Sequence, residues 1–238
     1  MTADIITRIR TELKNIADPA IRKTSQRFFK EEILCYGVKT TMVTAIARKF
    51  WIDIKSREKQ DIFRLCDELY QSGILEEAFI VSSWIPHLKR QFEPQDIAVF
   101  RHWIDTYISN WAACDGFCNH TMGEFIVKYP EYLDELKQWT HSKNRWMRRA
   151  AAVSLIVPAK QGKFLSDVLE IAELLLIDND DMVQKEYGWL LKEASRWHQI
   201  EVFNFVMRNR KSMPRAALRY AIELMPEDLK AEAMKKDW

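Results

Sequence analysis

The chain has 238 residues, 47% of them hydrophobic and 29% charged, with a formal net charge of +2. That length buries a sizeable core, and the ordinary balance of apolar and charged residues excludes a disordered or fibrous chain. So small a net charge means that any nucleic-acid contact must come from where the cations sit, not from their number.

The first stretch, MTADIITRIRTELKNIADP, interleaves charges and lacks an apolar h-region, so no secretory leader is expected. Its apolar positions Ile5, Ile6, Ile9, Leu13 and Ile16 recur at helical spacing. The same period returns at Met42, Val43, Ile46, Ala47, Phe50 and Trp51, and again at Ile62, Phe63, Cys66, Leu69 and Tyr70. No apolar run approaches the roughly 18 residues of a membrane span. Cys35, Cys66, Cys114 and Cys118 match no zinc or redox spacing, which points to reduced thiols in a cytoplasmic protein.

The segment SNWAACDGFCNHTMGEFIVKYP predicts a helix capped by Ser109 or Asn110 and ended before Pro130. Its apolar stripe is Trp111, Cys114, Cys118, Met122, Phe125 and Ile126. Asp115 falls inside that stripe, one turn after Trp111. A carboxylate there must be paired, hydrogen-bonded or turned to a wet cleft. The bland reading is an Asp that ties two helices together.

The next segment, HSKNRWMRRAAAVSLIVPAKQGK, carries Lys143, Arg145, Arg148, Arg149, Lys160 and Lys163 and no carboxylate. Ser142 is a candidate cap, Pro158 a candidate stop, and Trp146, Ala150, Val153 and Val157 the apolar face. Arg149 shares that face; Arg145 and Arg148 point elsewhere. Cations in the first turns oppose the helix dipole, so a partner anion is expected, unless Arg149 merely snorkels from the core edge.

Val168, Ile171, Ala172, Leu174, Leu175 and Leu176 follow with helical period. In DMVQKEYGWLLKEASRW the core stripe is Val183, Tyr187, Leu190, Leu191 and Ala194. Trp189 falls opposite that stripe, beside Lys185 and Lys192. A large aromatic between lysines marks a binding surface, or packing against a neighbouring helix.

Pro19, Gly37, Gly73, Pro94, Pro130, Pro158, Gly162, Pro214 and Pro226 separate the helical segments. No convincing strand period occurs. Helix pairs recur roughly every 35 to 45 residues, the length of HEAT-like repeats. The expected fold is all-α, an α-solenoid of HEAT-like helical repeats with a concave basic groove, forming one domain over 1–238. A closed helical bundle is the alternative.

Trp111-x-x-x-Asp115, RWMRRAA and YGWLLKE, with RFFKEEILCYGVKT earlier, together resemble the AlkD-type DNA alkylation-repair glycosylases. The resemblance implies a HEAT-like repeat enzyme that holds duplex DNA and cuts the N-glycosidic bond of cationic N3- or N7-alkylpurines. It leaves an abasic site, with no metal or organic cofactor. The implied catalytic residues are Asp115, Trp111, Trp189 and Arg149, the last as a phosphate holder. The DNA contacts are Lys143, Arg145, Arg148, Lys160, Lys163, Lys185, Lys192 and Phe28, the last where some members carry Tyr. Arg208, Arg210, Lys211 and Arg215 extend the set. No lysine is placed as an amine nucleophile, so the enzyme is expected to be monofunctional, and a monomer. The competing function is a non-catalytic HEAT-like nucleic-acid-binding protein or protein scaffold.

Overall fold

The computed structural model describes residues 2–236. Its contacts group into two compact units, Met1–Phe117 and Cys118–Trp238. Fifteen α-helices form among the described residues. No strand forms there; Leu34 and Ile74 make one isolated parallel bridge.

The first unit contains α1 (Thr2–Asn15), α2 (Pro19–Gln26), α3 (Thr40–Ile54), α4 (Lys59–Gln71), α5 (Leu75–Trp84), a 3-10 segment Ile85–Gln91, α6 (Asp96–Thr106) and α7 (Trp111–Phe117). Helices α1, α3, α5 and α7 stack in that order, with α4 against α1 and α5. The period-3.6 residues read from the sequence form the core: Ile9, Leu13, Ile46, Phe50, Ile62 and Leu69 are buried. Met42, at the end of its stripe, is exposed.

Buried charges lock this unit. Lys59 Nζ lies 2.6 Å from Glu93, 2.9 Å from Asp96 and 3.1 Å from the Gln91 carbonyl. Burial works against that ammonium, but the two carboxylates outweigh it and raise its pKa. The Arg10 guanidinium donates to the fully buried Glu77, which also accepts the Tyr36 hydroxyl at 2.7 Å.

The second unit contains a π turn Cys118–Met122, α8 (Gly123–Lys128), a 3-10 turn Pro130–Tyr132, α9 (Leu133–Trp139), α10 (Arg145–Lys160), α11 (Leu165–Leu174), α12 (Asp181–Ala194), α13 (Gln199–Asn209), α14 (Arg215–Ala221) and α15 (Glu227–Met234). Helices α8, α10, α12 and α14 form one layer. Helices α9 and α11, then α13 and α15, pair in a second. Consecutive helices alternate between layers, which is the repeat arrangement that the helix spacing implied.

Two local expectations change in α10. The cap is Asn144, whose side chain accepts from Trp146 N, while Ser142 Oγ accepts from Asn144 N one step earlier. Pro158 does not end the helix, which continues to Lys160. A proline removes the bond to the carbonyl four residues back, here Ser154. Gly123 of α8 packs at that point: a Cβ there would lie 3.3 Å from Ser154 O and 3.4 Å from the Pro158 ring. Ala159, just past the proline, is buried. Packing carries the helix through a residue that local preference would use as a stop.

Helices α12 and α14 touch at backbone level. A Cβ on Gly188 would meet Ala217 O at 2.7 Å, Ala217 Cα at 2.9 Å and Tyr220 Cβ at 2.9 Å. Gly188→Ala gains up to about 1 kcal/mol of helix propensity, but overpacking against backbone costs about 1 to 3 kcal/mol. The variant is expected to melt below wild type by circular dichroism; an unchanged or raised melting temperature contradicts the tight crossing.

Candidate functional site

Helix α7 carries the first candidate pair. Asn110 Oδ1 accepts from Ala113 N and caps it, which decides between the two candidates Ser109 and Asn110. A Cβ on Gly116 would stand 3.3 Å from Ser82 Oγ of α5, so α7 lies close on α5. Trp111 and Asp115 are therefore held one turn apart on a seated helix, each half-buried. The Trp111 ring stacks on Phe29, with centroids 5.4 Å apart and planes at 23°. Its Nε1 donates to the Phe28 carbonyl at 3.2 Å.

These contacts border a cleft of about 220 Å³ lined by Phe28, Phe29, Phe79, Leu75, Thr40 and Trp111, among others. Glu76 lies at its margin and accepts backbone N–H groups from Tyr36, Gly37 and Val38 at 3.0, 2.8 and 3.0 Å. Phe28 is 70% exposed at the rim. Phe29 was not singled out in the sequence, yet it is the ring that meets Trp111. The doublet in RFFKEE was the available signal, and which of two adjacent rings turns inward is a tertiary matter.

The second unit holds Arg149 and Trp189. Arg149 is 4% exposed on α10. Its Nη2 lies 2.5 Å from Glu186 Oε2 and its Nη1 donates to the Met182 carbonyl at 2.5 Å. Glu186 is itself 2% exposed. Trp189 is half-buried, and its Nε1 donates to Glu193 Oε1 at 3.3 Å. Burial alone would raise the Glu193 carboxyl; hydrogen bonds from Arg196 and Trp189 outweigh it and hold that pKa below its ordinary value. The sequence reading missed both glutamates, seven residues apart on α12.

The basic stretch is therefore not an unneutralised block. Arg148 donates to Asp178 at 2.6 and 3.2 Å. Arg145 lies 2.8 Å from Asp180 and its guanidinium is 4.8 Å from the centre of the Trp146 ring. With Arg149 on Glu186, the anions that the helix start required come from 178–186 of the same unit. Lys185 pairs with Asp181 at 3.1 Å and Lys192 with Glu223 at 3.2 Å. Arg210 and Arg215 donate to the carbonyls of Glu232 and Met234, while Arg208 and Lys211 are exposed. Among the described residues, Lys143, Lys160 and Lys163 are exposed without an ion pair. Nor do they form one patch. Lys143 precedes α10 and Lys160 ends it, with about 22 Å of helix from Arg145 to Lys160 at 1.5 Å per residue.

No group of three or more His, Cys, Asp or Glu is placed to hold a metal among the described residues. No helix there is long and apolar enough to cross a membrane.

The family model of the DNA alkylation repair enzymes matches residues 9–225. A solved structure described as a predicted DNA alkylation repair enzyme from Enterococcus faecalis superposes with a TM-score of 0.79 at 14% identity, covering 89% of this chain and 97% of that one. AlkD2 from Streptococcus mutans superposes with a TM-score of 0.65 at 18% identity, covering 94% and 99%. At such identities these two likenesses speak to the fold. No curated protein matches the sequence.

The two buried glutamates give separate tests. Arg149→Ala strands Glu186 without its cation, and breaking a buried pair costs about 3 to 5 kcal/mol. A melting temperature within a degree of wild type contradicts the pairing. Glu193 ionises more readily folded than unfolded, so its stabilisation is complete above its ordinary value of 4.5 and is lost as pH falls through the lower folded value. Glu193→Gln is expected to flatten the fall of melting temperature below that pH; parallel curves for the two proteins rule the effect out.

Proposed function

The chain belongs to the DNA alkylation repair enzyme family, and on that premise we propose that it is a monofunctional glycosylase for cationic N3- or N7-alkylpurines in duplex DNA. The supporting observation is the seating of Trp111 and Asp115 on α7, one turn apart and each half-buried, with Trp111 lining an aromatic cleft.

The chemistry needs little else. An N3- or N7-alkylated purine already carries positive charge, so it leaves without a general acid. Breaking its bond to the sugar develops cationic, oxocarbenium-like character on the deoxyribose. A preorganised carboxylate beside that sugar lowers the barrier and orients the attacking water. Asp115 supplies the carboxylate in this reading. Trp111, braced by Phe29 and by its hydrogen bond to the Phe28 carbonyl, offers a π-face that favours the same charge. The electron pair of the broken bond leaves with the base, which departs as the neutral alkylpurine, while water adds to the sugar carbon and loses a proton to give the abasic site.

Trp189 and Arg149 are the other two residues that the resemblance assigns to the reaction. Arg149 is buried and already neutralises Glu186, so its proposed part is to keep that segment of α10 and α12 in place rather than to hold a phosphate directly.

The deciding measurement is single-turnover release of N7-methylguanine from duplex DNA, with spontaneous depurination subtracted. Wild type is expected to release base. Asp115→Asn keeps the shape without the charge and is expected to fold and bind DNA, yet to be slower by about 10² to 10³. A folded, DNA-binding variant with a wild-type rate removes Asp115 from the mechanism. No release by wild type favours the non-catalytic reading.

A further inference from the structure

The second unit exposes a tryptophan that base release does not use. Trp197 follows α12 and is 68% exposed. Lone exposed apolar side chains are common and need no explanation. Trp197 differs because it is both exposed and fixed. Its Nε1 donates to the Lys160 carbonyl at 3.0 Å. Its ring lies over Gly162, where a Cβ would come within 3.2 Å of Trp197 Cγ. Gly162 has φ +77, a left-handed turn that a side chain resists. His198 Nε2 donates to the Gly162 carbonyl at 3.1 Å. Two adjacent side chains thus clamp the turn after α10 and hold the indole in one orientation, so little entropy is lost when something stacks on it.

The surroundings are cationic. Lys160 and Lys163 flank the clamped turn, are exposed, and make no ion pair among the described residues. Lys160 contributes to the field that lowers the Glu193 pKa, and Arg196 is bound to Glu193 at 2.6 Å. The carboxylate nearest along the chain on the other side, Glu201, lines a separate groove with Leu169, Asn204 and Arg208.

We propose that Trp197, Lys160 and Lys163 form a platform for unpaired DNA, one base stacking on the fixed indole and the neighbouring phosphates meeting the two lysines. An exposed ring suits an unpaired base because every base has a π-face, whereas a paired base presents only its edge. The lysines select a polyanion over an apolar partner. The proposal shares with the proposed glycosylase only the premise that the chain meets DNA, and it concerns the end of α10 opposite Arg145.

The test is fluorescence anisotropy with a labelled 20-nucleotide oligothymidylate at several salt concentrations. Base release from duplex DNA is measured on the same preparations. Wild type is expected to bind. Trp197→Ala is expected to weaken binding about tenfold, and Trp197→Phe to restore most of it. Lys160→Ala with Lys163→Ala is expected to reduce the log–log salt slope by about 1.4, or about 0.7 for each lost single-strand phosphate contact. Circular dichroism melts check folding; both Trp197 variants lose the bond to the Lys160 carbonyl and are expected to melt only slightly below wild type, alike in Ala and Phe, so that a difference in binding between them reports stacking. Oligothymidylate binding indifferent to both variants overturns the proposal. So does binding that depends on the lysines alone and is matched by polyglutamate, which marks a general anion surface. Trp197→Ala is expected to leave base release unchanged. Absence of release in wild type counts against the glycosylase reading and leaves the platform to stand on its binding data.

Discussion

The second unit depends on one buried contact, the ion pair between Arg149 of α10 and Glu186 of α12. Each residue is almost wholly removed from water. Two charges in that position are tolerable only together, because either one alone keeps its full desolvation cost. The contact therefore specifies which part of α12 lies against α10, and the Met182 carbonyl adds a second bond to the same guanidinium. Asp178 and Asp180 then fall beside Arg148 and Arg145, and Asp180 also caps α12 through Met182 N. Further along α12, Gly188 lets the α14 backbone approach. A slip of α10 against α12 by one turn would break the three ion pairs of Arg145, Arg148 and Arg149 at once.

The first unit solves a similar problem with carboxylates from one place on α5. Glu76 gathers three backbone N–H groups from the segment between α2 and α3, and Glu77 gathers Arg10 and Tyr36. Adjacent residues on a helix point about 100° apart, so the two acids serve different neighbours. Together they position a segment with no strand or helix of its own, beside the cleft that Trp111 borders. Helix α2 buries no residue. Its place is set by the Asp18 cap, by Pro19 at its first position, and by Gln26, whose side chain bonds Glu31 O and Ile33 N.

In the proposed reaction, a cationic leaving base shifts the demand on the protein from proton donation to electrostatic preorganisation. An acid and aromatic faces suffice if the helices that bear them do not move. Gly116, which lets α7 lie close on α5, serves the same proposal, since a carboxylate that wanders loses most of its effect on a developing charge.

The sequence by itself determined the all-α class, the helical stripes and the one-turn spacing of Trp111 and Asp115. Each is a property of neighbouring residues, and a 3.6-residue period is written in consecutive positions. The cap was narrowed to Ser109 or Asn110 for the same reason, and the stripe Val183, Tyr187, Leu190, Leu191 and Ala194 is buried as read. What surrounds the candidate residues was not legible. The partners of Arg145 and Arg148 lie 35 and 30 positions further on, so a run of cations that looked open along the chain is closed in space. Pro158 fails as a stop because α8 packs against its turn, and Lys160 parts from Arg145 by the length of a helix. Local preference is settled within a few residues. Charge neutralisation, the choice of Phe29 over Phe28 as the stacking ring, and the clamped exposure of Trp197 were decided by which helices the core brings together.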